Sequence, residues 1–167
     1  WTHPHLAKEL MALGIMAFGT DRAAGRETVP QPGPVVALAV TNDGLRVYAL
    51  ADGRVILRDR GGAERATIGT GSEPLRGIAV DAAAAYAVTD RELIQLDLEA
   101  RAVTGRTPLR VAGAVTGIAA GAGRVVVGTD RAAQITGLGP PLVVRQPVAA
   151  LTLRPDGSVA YLVDPQG

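Results

Sequence analysis

Tyr86-Ala87-Val88-Thr89-Asp90 decides how the rest of the chain is read. Apolar residues run into an aspartate, the pattern of a strand that ends in a turn. The pattern returns as Tyr48-Ala49-Leu50-Ala51-Asp52, as Val126-Val127-Gly128-Thr129-Asp130 and, shortened, as Tyr161-Leu162-Val163-Asp164. Self-similarity at a period of roughly 40 residues marks a repeat architecture.

Working outward from these strands, each is preceded by an apolar opening. The openings are Pro34 to Val40, Pro74 to Val80, Ala114 to Ala120 and Pro147 to Leu153. A turn joins each opening to its second strand: Asn42-Asp43-Gly44, Asp81-Ala82, Gly121-Ala122-Gly123 and Pro155-Asp156-Gly157. Asp-Gly and Asn-Asp-Gly supply the positive φ that tight hairpins need. Third strands follow at Val55-Ile56-Leu57-Arg58, Leu93-Ile94-Gln95-Leu96 and, more weakly, Gln134-Ile135-Thr136. Candidate fourth strands are Arg65 to Ile68, Ala102 to Thr104 and Leu142 to Arg145. The first strand of each unit is the most apolar and the fourth the most polar. That gradient predicts a first strand buried at the centre and a fourth facing solvent. Four short antiparallel strands per repeat are the signature of a β-propeller blade.

Composition agrees with an all-β reading. Of 167 residues, 21 are Gly and 11 Pro, which implies many turns. Apolar residues make up 47% and aromatics only 3%, so the core relies on Val, Leu, Ile and Ala rather than on large rings. Each fully buried Val, Leu or Ile contributes roughly 1.5–3 kcal/mol. The net charge is +1, from 17 basic and 16 acidic residues that are interspersed along the chain. Without a basic run there is no footprint for nucleic acid. There is no Cys, which removes disulfides, thiolate metal sites and a Cys nucleophile. The longest apolar run, Leu10 to Gly19, is half of the roughly 20 residues a membrane-spanning helix needs. No compartment is fixed by these features; extracytoplasmic, periplasmic or secreted, is favoured over cytoplasmic.

Residues 1–33 form a separate N-terminal segment. Leu6, Leu10, Leu13 and Ala17 fall at helical spacing. Yet Gly19-Thr20-Asp21-Arg22-Ala23-Ala24 recurs letter for letter as Gly128 to Ala133, which gives the segment a second reading as a worn blade, although Lys8-Glu9 suits a helix better than a buried strand. Val29-Pro30-Gln31-Pro32-Gly33-Pro34 is a Pro-rich linker with extended backbone. Repeats occupy 34–167, with blades starting near 34, 74, 114 and 147. The expected fold is all-β, a propeller-like array of three and a half to four blades with a short N-terminal helix or worn blade. Such an array is an incomplete ring, since propellers close with roughly 4–8 blades. It is expected to be part of a larger protein, or to self-associate through its open edge.

The run Thr67-Ile68-Gly69-Thr70-Gly71-Ser72-Glu73-Pro74-Leu75-Arg76-Gly77-Ile78-Ala79-Val80 resembles the blade junction of YVTN-type propeller repeats. Pro155-Asp156-Gly157-Ser158-Val159-Ala160-Tyr161 is similar to the part of that repeat that follows. The period also resembles WD40 repeats. The Gly-His and Trp-Asp dipeptides of those repeats are missing, since the only Trp is Trp1 and the only His are His3 and His5. Asp stands where the YVTN pattern has Asn. The resemblance implies a propeller and leaves its ligand open.

Candidate sites are few. Trp1-Thr2-His3 with His5 has the form of an amino-terminal copper or nickel chelate, but is favoured as a severed end or tag remnant. Gly69-Thr70-Gly71-Ser72 and Gly137-Leu138-Gly139 are glycine-rich, but neither has the helix or the Lys of a phosphate loop. Asp52, Asp90, Asp130 and Asp164 mark one rim of turns, where they cap their own backbone or present a charged partner surface. With His confined to the first five residues, no nucleophile–His triad is supported in the repeats. No catalytic, cofactor-binding or metal-binding residue is assigned. The expected function is a non-catalytic binding or scaffold module for a protein or small-ligand partner, in a bacterial protein. The alternative is a propeller enzyme of the lactonase or lyase kind with a site in the central channel. Tyr48, Tyr86 and Tyr161 share one sequence register and are expected to pack between blades. Tyr86→Ala should then cost about 3–5 kcal/mol. An unchanged urea midpoint would show that this ring is not core.

Overall fold

The computed structural model describes residues 31–82, 84–137 and 139–166. The expected helix or worn blade at residues 1–30 lies outside them. The described residues hold strands only, joined by turns, and confirm the all-β reading.

Strands β1 (Val35–Val40), β2 (Arg46–Leu50), β3 (Arg54–Arg58) and β4 (Glu64–Gly69) form the first blade in the order β1-β2-β3-β4. The second blade is β5 (Gly77–Asp81), β6 (Ala84–Val88), β7 (Glu92–Asp97) and β8 (Ala102–Pro108), again in chain order. The third is β9 (Val115–Gly121), β10 (Arg124–Thr129), β11 (Ala133–Thr136) and β12 (Leu142–Val144). The fourth has only β13 (Ala150–Leu153) and β14 (Ala160–Val163). All pairings are antiparallel between consecutive strands. β1, β5, β9 and β13 neighbour one another from blade to blade, so the first strands lie innermost.

The blades stack by alternate residues. On blade one, Val47, Ala49, Val55, Leu57 and Ile68 meet Ile78, Ala85, Ala87, Ile94 and Leu96 of blade two. The intervening residues of blade two, Tyr86, Val88 and Leu93, meet Val125 and Val127 of blade three, with Ile118 and Ala120 alongside. Blade three then packs closely on blade four at Gly128. A Cβ there would lie 2.7 Å from Leu151 Cδ2 and 2.9 Å from Val148 Cγ1. Blade two has Val88 at the equivalent position, so the third interface takes up a smaller residue to bring the sheets closer.

Two expectations need correction. The first strand is not the most buried. β2, β6 and β10 are buried along nearly their whole length, whereas β1 and β9 are mostly half-exposed. A first strand is the inner edge of its sheet, while second strands have neighbours on both sides. The fourth strands β4, β8 and β12 are the most exposed in their sheets, as expected.

The three tyrosines do not share one face. Val40 pairs with Arg46 across Thr41 to Leu45, but Val80 pairs with Ala85 across one residue fewer. The extra residue of the first hairpin shifts β2 by one position. Side chains alternate along a strand, so a shift of one reverses the face. Val47, not Tyr48, therefore matches Tyr86, and Tyr48 turns away from blade two to pack with Leu50, Ile56, Val35 and Leu38. Tyr161 does match Tyr86, because Leu153 pairs with Ala160 as Val80 pairs with Ala85. It is nevertheless 55% exposed, since no described blade lies beyond it.

Candidate functional site: the rim of the second hairpins

The second-to-third-strand turns and the junctions between blades lie along one rim. Asp52, Asp90, Asp130 and Asp164 all sit there, each in its own turn. Asp90 and Asp130 tie the end of the second strand to the start of the first strand in the same blade. Asp90 holds Arg76 through both carboxylate oxygens, at 2.7 to 3.1 Å. Asp130 Oδ1 accepts the N–H of Ala114 at 2.9 Å. Asp52 accepts the N–H of Arg54 and pairs with its guanidinium, which also donates to Pro32 O. Asp164 Oδ1 accepts the N–H of Gln166.

The sequence places backbone capping on these aspartates. In blades two and three the preceding threonine does that work. Thr89 Oγ1 accepts the N–H groups of Arg91 and Glu92, and Thr129 Oγ1 those of Arg131 and Ala132. Both threonines are almost fully buried. A hydroxyl that both donates and accepts suits a buried turn better than a carboxylate, whose charge is costly to bury. Asp90 is thereby left at the surface for its ion pair with Arg76, and Asp130 for the N–H of Ala114. The four aspartates do not converge on one point. Among the described residues no three His, Cys, Asp or Glu side chains group to hold a metal ion. Trp1, His3 and His5, the other metal candidates, lie outside the described residues.

What converges is a different set. A cavity of about 450 Å³ is lined by Thr70, Gly71, Ser72, Glu73, Thr89, Arg91, Glu92, Arg106 and Pro108. Its floor is the glycine-rich junction, which is an inter-blade turn. Thr70 anchors it, with N–H and Oγ1 both donating to Gly53 O at 2.8 Å. Gly53 has φ +81, and a Cβ there would stand 2.4 Å from Gly71 O. Only glycine lets the first blade's hairpin and the junction approach so closely. Arg106 crosses from β8, bonding Glu92 and the carbonyl of Thr70. Arg91 stands 3.5 Å from Glu73 and is 83% exposed. Arg91 and Arg106 are exposed there and Glu73 and Glu92 half-buried, so both signs of charge border the glycine-rich turn. No single spacing rule marks this set, because its members come from a junction, a hairpin and a fourth strand.

The opposite rim is tied differently. Asp81 Oδ2 accepts the N–H of Gly123 at 2.6 Å, linking the turns of blades two and three. Arg124 donates to Gly157 O, linking three to four. Ala82 and Ala122 hold φ +48 in these turns, where sequence preference favours Asn or Gly. A further buried tie escapes the sequence reading altogether. Gln134, fully buried in β11, accepts the N–H of Arg110 through Oε1 at 2.6 Å. The equivalent residue of blade two is Ile94. The tie holds the junction between blades two and three, and nothing in the sequence separates a buried Gln from a surface one.

Searches of protein-family models and of curated proteins return no match. Solved structures do match in shape. Hydrazine synthase of Kuenenia stuttgartiensis superposes with TM-score 0.65 over 88% of this chain at 15% identity. The RRP9 WD40 repeats give 0.65 over 74% at 15% identity, and a chain of the mitotic checkpoint complex 0.67 over 81% at 15% identity. The chain has a WD40-like β-propeller fold. It spans 47%, 43% and 47% of those three chains, somewhat under half of each.

Several turn carboxylates are held below their ordinary value of 3.8. Asp52 is lowered chiefly by its bond to Arg54, Asp43 by Thr41, Asp59 by the N–H of Ala63, and Asp156 by Ser158. A carboxyl lowered in the folded state binds protons more readily when unfolded, so its contribution is present above the unfolded value and lost as pH falls through the folded one. Thermal stability should therefore hold steady from neutral pH to about 5 and decline below it. A melting temperature that rises between pH 5 and pH 3 would contradict these turn assignments.

Proposed function

We propose that the chain is a non-catalytic binding or scaffold module, one part of a larger bacterial propeller protein. It engages a protein or small-ligand partner through the rim that carries Glu73, Arg91, Glu92 and Arg106. The observation that carries the reading is the cavity beside those residues, about 450 Å³ in volume. Charges of both signs, the arginines exposed and the glutamates half-buried, favour a polar partner with donors and acceptors, such as a protein loop. Loops borne on a rigid stack of sheets vary in sequence without disturbing the core, and binding residues concentrate there for that reason.

The test compares the purified chain with Glu73→Arg and Arg91→Glu variants and with Asn42→Ser on the opposite rim. Each is immobilised, and captured proteins are quantified by mass spectrometry. A partner retained by the parent and by Asn42→Ser, but lost from both charge-reversed variants, supports the rim assignment. A partner captured equally by all four contradicts it. Turnover of a lactone panel by the purified chain would overturn the non-catalytic reading.

A further inference from the structure

Blades two and three gather arginines that stand far apart in the chain. Arg91 lies in the second hairpin of blade two, and its carbonyl accepts the N–H of Leu109 at 2.7 Å. Arg110 follows directly beside it, at the start of the junction into blade three. Gln134 holds that residue in place by accepting its N–H at 2.6 Å. Arg131 lies in the second hairpin of blade three, and its stem crosses the far end of the same junction. A Cβ on Gly113 would stand 3.3 Å from Arg131 Cγ. Ala133 pairs with Val144, so continuing that ladder sets Arg145 across from Ala132 and next to Arg131. The result is a band of guanidinium groups along one rim. No run of basic residues marks it in the sequence, because its members come from two hairpins, a junction and a strand end.

The band is short of counterions. All four arginines are exposed. Arg91 has one ion pair, the 3.5 Å contact with Glu73. Arg110, Arg131 and Arg145 have none among the described residues. Neighbouring acids are engaged elsewhere: Asp90 pairs with Arg76, Glu92 with Arg106, and Asp130 accepts the N–H of Ala114. Glu73 and Asp130 alone do not balance four guanidinium groups, so the band keeps a positive surplus. The seam between blades one and two has no such band. Thr70 donates to Gly53 O as Leu109 donates to Arg91 O, so Gly53 and Gly71 stand where the next seam has Arg91 and Arg110. The arginines therefore belong to this seam and not to the repeat.

We infer that this band docks an acidic segment of a partner protein, whose Asp or Glu side chains pair with Arg110, Arg131 and Arg145. The inference deepens the rim reading above and rests on it. A guanidinium fork takes a carboxylate through two parallel N–H bonds, a geometry that a free arginine offers and a paired one does not. Arg91 joins the band to the cavity, where Glu73 calls for a donor on the same partner. A nucleic acid matches this surface less well. Its phosphates recur at a fixed spacing along each strand. A strand laid across the band would bring phosphates against Glu73 and Asp130 as well as against the arginines. A protein segment can set carboxylates over the arginines and donors over the acids.

Calorimetric titration of the whole chain with an end-blocked Glu-Gly repeat peptide tests this. The peptide should bind at low salt and weaken about tenfold between roughly 0.05 and 0.3 M salt. Arg110→Gln and Arg131→Gln should each weaken binding about fivefold, and together more. Arg101→Asn removes the same charge from an exposed turn on the opposite rim, at a positive φ that Asn tolerates, and should leave binding within about twofold. Both band variants replace exposed side chains, so their melting temperatures should match the parent's. A peptide that does not bind, or that binds equally to the band variants, would overturn the inference. An oligothymidylate bound more tightly than the peptide through the same arginines would overturn it too, because nucleic acid would then be the partner class. Capture of a cellular partner separates this inference from the cavity assignment. A partner that depends on Glu73 and Arg91 but not on Arg110 and Arg131 overturns the acidic segment and leaves the cavity standing. With the peptide bound through Arg110 and Arg131 but capture indifferent to Glu73 and Arg91, the cavity assignment fails and the band stands.

Discussion

Everything in this chain depends on the burial of alternate side chains between one sheet and the next. A four-stranded sheet of this size has two faces, and neither is stable in water if both are apolar. Each described full blade is apolar on both. Blade two is the clearest case: Ala85, Ala87, Ile94 and Leu96 point back to blade one, and Tyr86, Val88 and Leu93 point forward to blade three. The contribution per buried side chain is ordinary, roughly 1.5–3 kcal/mol. Its effect is to make no blade stable alone, so the repeat is the means by which each sheet covers its neighbour.

That dependence explains which parts of the fold were legible in the sequence. Strand positions were, because period-two apolar runs and Asp-Gly turns are local signals; Val55 to Arg58, Leu93 to Leu96 and Leu142 to Arg145 were read within a residue or two. Facing was not. Alignment of Tyr48 with Tyr86 by letter ignores the one extra residue in the Asn42-Asp43-Gly44 hairpin, and a single residue reverses every side chain that follows. The burial gradient also misled. Apolar composition ranks the first strands highest, but burial depends on neighbours, and an inner edge strand has one fewer than the strand beside it.

The rims follow a second rule, which is the satisfaction of polar groups where strands end. In blades two and three a buried threonine closes the turn, and a surface aspartate ties it to the start of its own blade. This division of labour was half visible. The repeated Asp was read as a turn residue, yet the Thr before it, present in Thr89-Asp90 and Thr129-Asp130, carried the capping signal. Of the candidate site beside these turns only the glycine-rich junction Gly69 to Ser72 was legible. Thr70, Arg91 and Arg106 are separated in sequence and meet only because Gly53 lets the junction lie against the hairpin.

Stacking by alternate residues predicts a specific order of protection. Residue-resolved amide hydrogen exchange on the intact chain tests it most directly. β2, β6 and β10, flanked by strands and covered on both faces, should exchange slowest, with β14 markedly faster because one face and one edge are open. Protection of β14 equal to that of β6, or uniform exchange across all four blades, would contradict the account.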